Sequence, residues 1–342
     1  SLMGASRSAL YFADVHNCRA RKVDFTTGII TTIAGGGNAD PGDGQLATAA
    51  TLSTHPMRLA LDQHGHIYLS DAHQNRIRKI DATSHIITTA AGNGEGKCSG
   101  DGSTATTASL FSPHAARVDQ RGDLYIADTG NNRIRRVDTT TGLITTVAGN
   151  GNDAFSGDGK PATAAALSGP LALAVDPKQH LYIADRGNNR IRRVDTTTGL
   201  IATIAGTGAA GPMANGIHAS ETSFATLRDL CFGPDGQLYI ADGDSHCIGR
   251  LDLDTGIISI VAGTGQSGYC GDCGPATDAL LNHPYSIAFD PDRNLYIFDT
   301  LNSRIRKVDA ITGFISTITG TGQPGYSGDG GPATDAAIGC GG

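Results

Sequence analysis

The chain has 342 residues, 26 basic against 33 acidic side chains for a net charge of −7, 47 glycines and no tryptophan. A hydrophobic fraction of 39% is too high for intrinsic disorder, and no window approaches the ~18 uninterrupted apolar residues of a spanning helix, so membrane insertion is not expected. The acidic balance and an aromatic content of 5% also argue against nucleic acid, whose recognition needs a basic surface and stacking rings.

No secretory leader is visible at Ser1-Leu2-Met3, and the stretch can belong to a longer polypeptide. The segment from about Leu2 to Ala5 reads as a first strand, a poor copy of Leu59-Ala60-Leu61-Asp62. From there the chain repeats. An aspartate recurs at Asp14, Asp71, Asp128, Asp185, Asp242 and Asp299, and a second at Asp24, Asp81, Asp138, Asp195, Asp252 and Asp309, each step being 57 residues. Six periods account for the whole length, so residues 1–342 are expected to form one repetitive domain rather than two unrelated ones.

The clearest copy predicts strands at 171–175, 181–184, 190–194 and 200–205. They are rich in β-branched and aromatic residues, are separated by turn segments such as Asp195-Thr196-Thr197-Thr198-Gly199, and show no 3.6-residue stripe. Only stretches such as Pro161-Ala162-Thr163-Ala164 suggest a turn or two of helix. Six such units would form a solenoid or a closed ring. A solenoid needs atypical polar caps, and the first and last copies look like the middle ones. The prediction is therefore an all-β, six-bladed β-propeller with four antiparallel strands per blade, the first strand lining a central channel. The tail from Gly320 to Gly342 would pack against blade 1 and close the ring.

The stretch Tyr-Ile-Ala-Asp-Thr-Gly-Asn-Asn-Arg-Ile-Arg-Arg-Val-Asp at 125–138, nearly repeated at 182–195, resembles the NHL repeat. That resemblance implies a six-bladed propeller. It implies no single role, because members bind proteins, bind RNA or catalyse reactions. The match weakens in blade 1, where Cys18 replaces the second Asn, and most in blade 5, at Asp242-Gly243-Asp244-Ser245-His246-Cys247.

Constant columns describe framework. Asp128, Asn132 and Arg133, with their equivalents, are read as a network registering strands two and three. The Gly157-Asp158-Gly159 loop and its copies at Asp43, Asp101, Asp272 and Asp329 offer one carboxylate each, which suits a turn capping nearby backbone N–H groups better than a Ca²⁺ loop. A binding site must break the symmetry. The most variable column, at the head of each first strand, reads Met57, His114, Leu171, Arg228 and Tyr285, and the next reads Arg58, Ala115, Ala172, Asp229 and Ser286. Met57, Arg58, His114, Arg228, Asp229 and Tyr285 are accordingly predicted to line a mixed pocket at the channel mouth, suited to a protein, a peptide or a small polar ligand.

The primary expectation is a monomeric binding or scaffold module without a cofactor. The alternative is a Zn- or Ca-dependent lyase or hydrolase at the same mouth, since the resemblance includes a zinc lyase and other six-bladed propellers hydrolyse lactones with calcium. His55, His114 and His283 are the weak metal candidates, with no H-x-H or HExxH spacing among them. Seven unevenly placed cysteines make no disulfide framework, although Cys270 and Cys273 could pair locally. An extracellular or envelope setting is slightly favoured by the Gly/Thr-rich, Lys-poor composition.

Overall fold

The computed structural model describes residues 3–53 and 57–339, with the main chain alone at Met57. It is all-β, with six antiparallel blades arranged as a β-propeller. Blade 4 shows the pattern: strands Pro170–Val175, Leu181–Asp185, Arg190–Asp195 and Leu200–Ala205, consecutive in sequence and neighbours in the sheet. The other elements are three-residue 3-10 turns, one set in the interblade loops, such as Ala162–Ala164, and one after the second strand, such as Arg186–Asn188. The fold divides into two compact units, Ala34–Ile204 with blades 2 to 4, and Ser1–Ile33 with Ala205–Gly342, holding blades 5, 6 and 1.

Within each unit the core lies between the faces of successive blades. Ile134 and Ala115 of blade 3 pack with Leu173, Ile183 and Ile201 of blade 4, and Ile248 of blade 5 packs with Ile287, Ile297 and Ile315 of blade 6. Each fully buried Ile or Leu contributes ~1.5–3 kcal/mol by leaving water, which is why these columns stay aliphatic.

Two features depart from the four-strand expectation. In blades 2, 5 and 6 the preceding loop adds a two-residue fifth strand to the outer edge, Gln45–Leu46, Ile217–His218 and Gly274–Pro275 respectively. In blade 1 the first strand is Met3–Ala5, and Gly4 stands opposite Tyr11, whereas in blade 2 it is Ala60 that faces the equivalent Tyr68. Blade 1 is therefore one residue shorter in its first hairpin, and Met3 aligns with Leu59 rather than with Ala60.

The tail closes on blade 1 as the repeat demands. Ile29 bridges Pro332, Gly330 N–H donates to Ile30 O at 2.8 Å, and Ala333 N–H donates to Gly28 O at 2.9 Å. Like the fifth strands elsewhere, this segment blunts an exposed sheet edge.

The loop turns are built on glycine at positive φ. At one such place Gly44, Gly102, Gly159, Gly216 and Gly330 are matched in the remaining copy by Cys273, with φ of 66°. A side chain there strains the backbone, and a Cβ at Gly102 or Gly159 would meet nothing within 4 Å, so the cost is conformational rather than steric. Cys273→Gly is expected to stabilise the protein by about 1 kcal/mol in urea denaturation; an unchanged or lowered midpoint would show that the thiol compensates the strain. Cys270 and Cys273 are both exposed thiols in this structure.

Candidate functional site

Each blade is organised around its buried aspartate. The Asp128 carboxylate accepts Phe111 N–H at 2.7 Å, the Asn131 amide at 2.8 Å and Arg135 Nη1 at 3.4 Å. The network thus runs through Asn131 and Arg135. Asn132 and Arg133, the residues expected from the sequence, are turned elsewhere: Asn132 Oδ1 accepts Gly169 N–H of the next blade at 2.8 Å, and Arg133 donates to the carbonyls of Asn131 and Asn150. Burial pushes the carboxyls of Asp14, Asp128 and Asp299 up to about 6, against the lowering effect of their hydrogen bonds and of the strand-three arginine.

The loop carboxylates are also committed. Asp158 meets the fully buried Arg192 at 2.7 Å, Asp43 meets Arg78 at 2.8 Å, and Asp101, Asp272 and Asp329 meet Arg135, Arg306 and Arg21 in the same way. Their role is to neutralise the buried guanidinium of the following blade, which corrects the expectation of a locally capping turn. Blade 5 alone drops this pair, with Gly249 where the arginine stands and Asn215 where the loop aspartate stands.

The variable column has a structural basis. In blades 3 to 6 the ladder between the first two strands slips at one residue, between Pro113 and Ala115, Pro170 and Ala172, Leu227 and Asp229, and Pro284 and Ser286. The bulged residues are His114, Leu171, Arg228 and Tyr285. A bulge re-aims its side chain out of the ladder, so this position tolerates any residue type the framework does not need.

In the unit holding blades 5 and 6 the structure brings Arg228 and Tyr285 together, with the Arg228 guanidinium 4.8 Å from the Tyr285 ring centroid. His283 joins them: its Nε2 lies 3.0 Å from Arg228 Nη2 and 3.1 Å from Asp244 Oδ1. Thr226 Oγ1 donates a short hydrogen bond to Asp244, and His283 N–H donates to His246 Nδ1 at 3.1 Å, so His246 takes the place that Asn132 holds in blade 3. Burial first, and Arg228 second, hold the His283 imidazole below its usual pKa, while Asp244 opposes them. His283 is only 7% exposed and its Nδ1 is buried without a hydrogen-bond partner among the described residues. Arg228 is half-buried and the Asp244 side chain 56% exposed, so the cluster presents a guanidinium and a carboxylate to solvent.

The remaining predicted residues are placed differently. Asp229 is fully buried, and its oxygens accept Leu230 N–H, Ser286 Oγ and Ile287 N–H at 3.0, 3.0 and 3.1 Å, joining blades 5 and 6. In the other unit Arg58 is 1% exposed and stands opposite Ser70, and His114 is half-buried with Nδ1 2.9 Å from Ser112 O. His55 lies outside the described residues, as does the side chain of Met57. Asp244, Thr226 and His246 were missed by reading one column at a time. The signal existed, because Asp244-Ser245-His246 replaces the Gly-Asn-Asn of blade 3 on the turn beside the bulge.

With this geometry in view, the comparisons define the class. The NHL repeat pattern matches residues 167–194 and the teneurin NHL domain pattern matches residues 92–154. The chain is an NHL-repeat β-propeller. It is 30% identical over 295 residues to the chloroplastic protein SUPPRESSOR OF QUENCHING 1 of Arabidopsis thaliana, across 83% of this chain and 28% of that protein. To mouse Teneurin-3 it is 32% identical over 295 residues, across 74% of this chain and 10% of that protein. The chain thus spans about a quarter of the first and a tenth of the second. Among solved structures, a Bacteroides thetaiotaomicron protein of unknown function superposes with a TM-score of 0.66 at 20% identity, covering 90% of this chain and 69% of that one. A streptogramin B lyase superposes at 0.51 with 16% identity, covering 92% and 80%. At these identities the structures share the fold alone. No helix among the described residues is long and apolar enough to cross a membrane.

Proposed function

We propose that this propeller is a binding module that docks an anionic group of a protein or peptide ligand on Arg228, at the strand-head end of blades 5 and 6. One observation carries the reading: blade 5 abandons the repeat residues at the bulge and on the turn beside it, and its Arg228 and Asp244 join His283 and Tyr285 of the next repeat in one cluster. The aromatic ring and the imidazole hold the guanidinium in place, so less side-chain entropy is lost when a carboxylate binds. The exposed Asp244 beside it sets orientation and rejects ligands with an anion on both sides. Teneurin relatives of similar sequence and the acidic net charge favour a protein partner over RNA.

The test is quantitative recovery of partners on immobilised protein from cell extract, comparing wild type with Arg228→Glu and Arg228→Lys. Reversal of the charge is expected to lower recovery of the specific partner by about tenfold or more, as loss of a charge-assisted contact worth ~1.5–3 kcal/mol implies, with Lys intermediate. Equal recovery by all three proteins would overturn the reading.

The Asp244–His283 pair supports a second reading, a lyase or hydrolase at the same place, because a neutral imidazole beside a carboxylate can take up a proton. Its expected zinc or calcium fits the side chains poorly. Among the described residues no three His, Cys, Asp or Glu groups converge, and Nε2 of His283 already faces Arg228. Stoichiometric zinc or calcium in elemental analysis of the purified protein would favour this reading over the binding module.

A further inference from the structure

At the opposite end of the strands from Arg228, a groove of about 560 Å³ opens between blades 6 and 1. A sister groove of about 410 Å³ lies three periods away, between blades 3 and 4, and the two can be compared residue by residue. In the sister groove Arg136 bonds Asp123 through Nε at 2.9 Å and reaches Asp138 at 3.3 Å, which closes the wall with an ion pair. In the groove between blades 6 and 1 the same two positions hold Lys307 and Asn294. Asn294 keeps the backbone contact of Asp123, its Oδ1 accepting Ala310 N–H at 3.1 Å, but its amide donates to Asp290 Oδ2 at 2.8 Å, and among the described residues no carboxylate lies within salt-bridge distance of Lys307. The wall is left open.

The second change is aromatic. Where the sister groove has Thr196, this one has Phe25, stacked on Tyr296 with centroids 5.5 Å apart and planes 14° from parallel. Tyr296 is itself fixed, its hydroxyl donating to Asp290 Oδ2 at 2.9 Å. Phe25 is half-buried, so a supported ring lines the groove. Around it stand two cations, Arg7 and Lys307, and two carboxylates, Asp24 and Asp292.

This lining selects a chemistry. The two cations and two carboxylates balance, so the groove as a whole favours neither a net anion nor a net cation. A neutral ligand carrying many hydroxyls satisfies both sets at once, giving hydrogen bonds to Asp292 and accepting them from Arg7 and Lys307, while Asp24 stays committed to its own turn through Thr26 and Thr27. A C–H face on the same ligand would cover the Phe25 ring and remove it from water. We propose that the groove between blades 6 and 1 is a saccharide site, sized for a mono- or disaccharide, with Phe25 as its platform.

Saturation-transfer NMR on the wild-type chain, with glucose, galactose, N-acetylglucosamine, maltose and cellobiose as probes, tests this directly. At least one sugar is expected to bind with a Kd on the order of 1 mM. Phe25→Thr, which installs the sister-groove residue, should weaken it by about tenfold or more. The pair Asn294→Asp with Lys307→Arg, which rebuilds the closing ion pair, should do the same, with circular dichroism confirming that both variants remain folded. Arg228→Glu should leave sugar binding unchanged, so this result stands or falls apart from the partner reading. No transfer to any of the five sugars, or undiminished binding in both groove variants, would overturn the proposal.

Discussion

Removing residues 324–342 is expected to destabilise the protein by at least about 3–5 kcal/mol and to expose blade 1 first, because the cut strands a buried charge. Arg21 is fully buried, and the tail supplies most of its partners: Asp329 Oδ1 at 2.7 Å, Ser327 O at 2.8 Å and Ala337 O at 3.1 Å. Asp14, its remaining carboxylate partner at 3.4 Å, loses Gly339 N–H, and Asn17 loses Gly325 O. Tyr326, which covers the Arg19 guanidinium at 4.0 Å, goes as well. Hydrogen exchange should show lost protection in Arg19–Asp24 and Ile30–Gly35, while Leu124–Asp128 of blade 3 stays protected. Adding Arg21→Met to the truncated chain should recover part of the loss, since it removes the charge the tail had neutralised. A truncated chain as stable as the intact one would mean the clamp is ornamental.

The second large effect comes from making the sequence more regular. Gly249→Arg restores the repeat residue of blade 5, yet it should cost at least about 3 kcal/mol, through an unpaired buried guanidinium and an overfilled core. A Cβ at Gly249 would lie 2.5 Å from Met213 Sδ, and the loop offers Asn215 in place of the usual aspartate. Met213→Ser with Asn215→Asp removes the obstruction and supplies the counter-charge. The triple variant should therefore be more stable than Gly249→Arg alone by several kcal/mol, a non-additivity expected of residues sharing one space. Urea denaturation of the single, double and triple variants measures it; additive effects would show that the three sites do not act together.

Both predictions rest on contacts that no spacing rule reveals. The period was legible because every blade must repeat the same buried aspartate, apolar strands and turns, and those are local. The ion pairs were not. In the ladder Asp128 stands opposite Arg133, and a reading by adjacency pairs them. The carboxylate instead meets Arg135, two residues further along the same face, because Arg133 is drawn to the carbonyls of Asn131 and Asn150. The loop aspartates gave no hint of their role either, since Asp158 and Arg192 are 34 residues apart and meet only when the loop docks on the next sheet. Blade 1 was aligned one residue out, as its strand is short and its hairpin shorter than the others.

The candidate site was half legible. The variable column pointed to Arg228 and Tyr285, and the bulge explains why that column varies. Asp229 looked equally exposed in sequence, but one residue past the bulge the side chain returns to the ladder and is fully buried. Asp244 and His283 belong to different repeats and come together only because successive blades are latched at this end, here through His246.

The central claim is that binding takes place where the repeat is broken and not on its constant columns. Photo-crosslinking tests it most directly, with p-benzoylphenylalanine placed at the exposed Asp244 of blade 5, or at the exposed Arg186 on the corresponding turn of blade 4. The account predicts partner adducts from position 244 and none from 186. Adducts of equal yield from position 186, or from 186 alone, would contradict it.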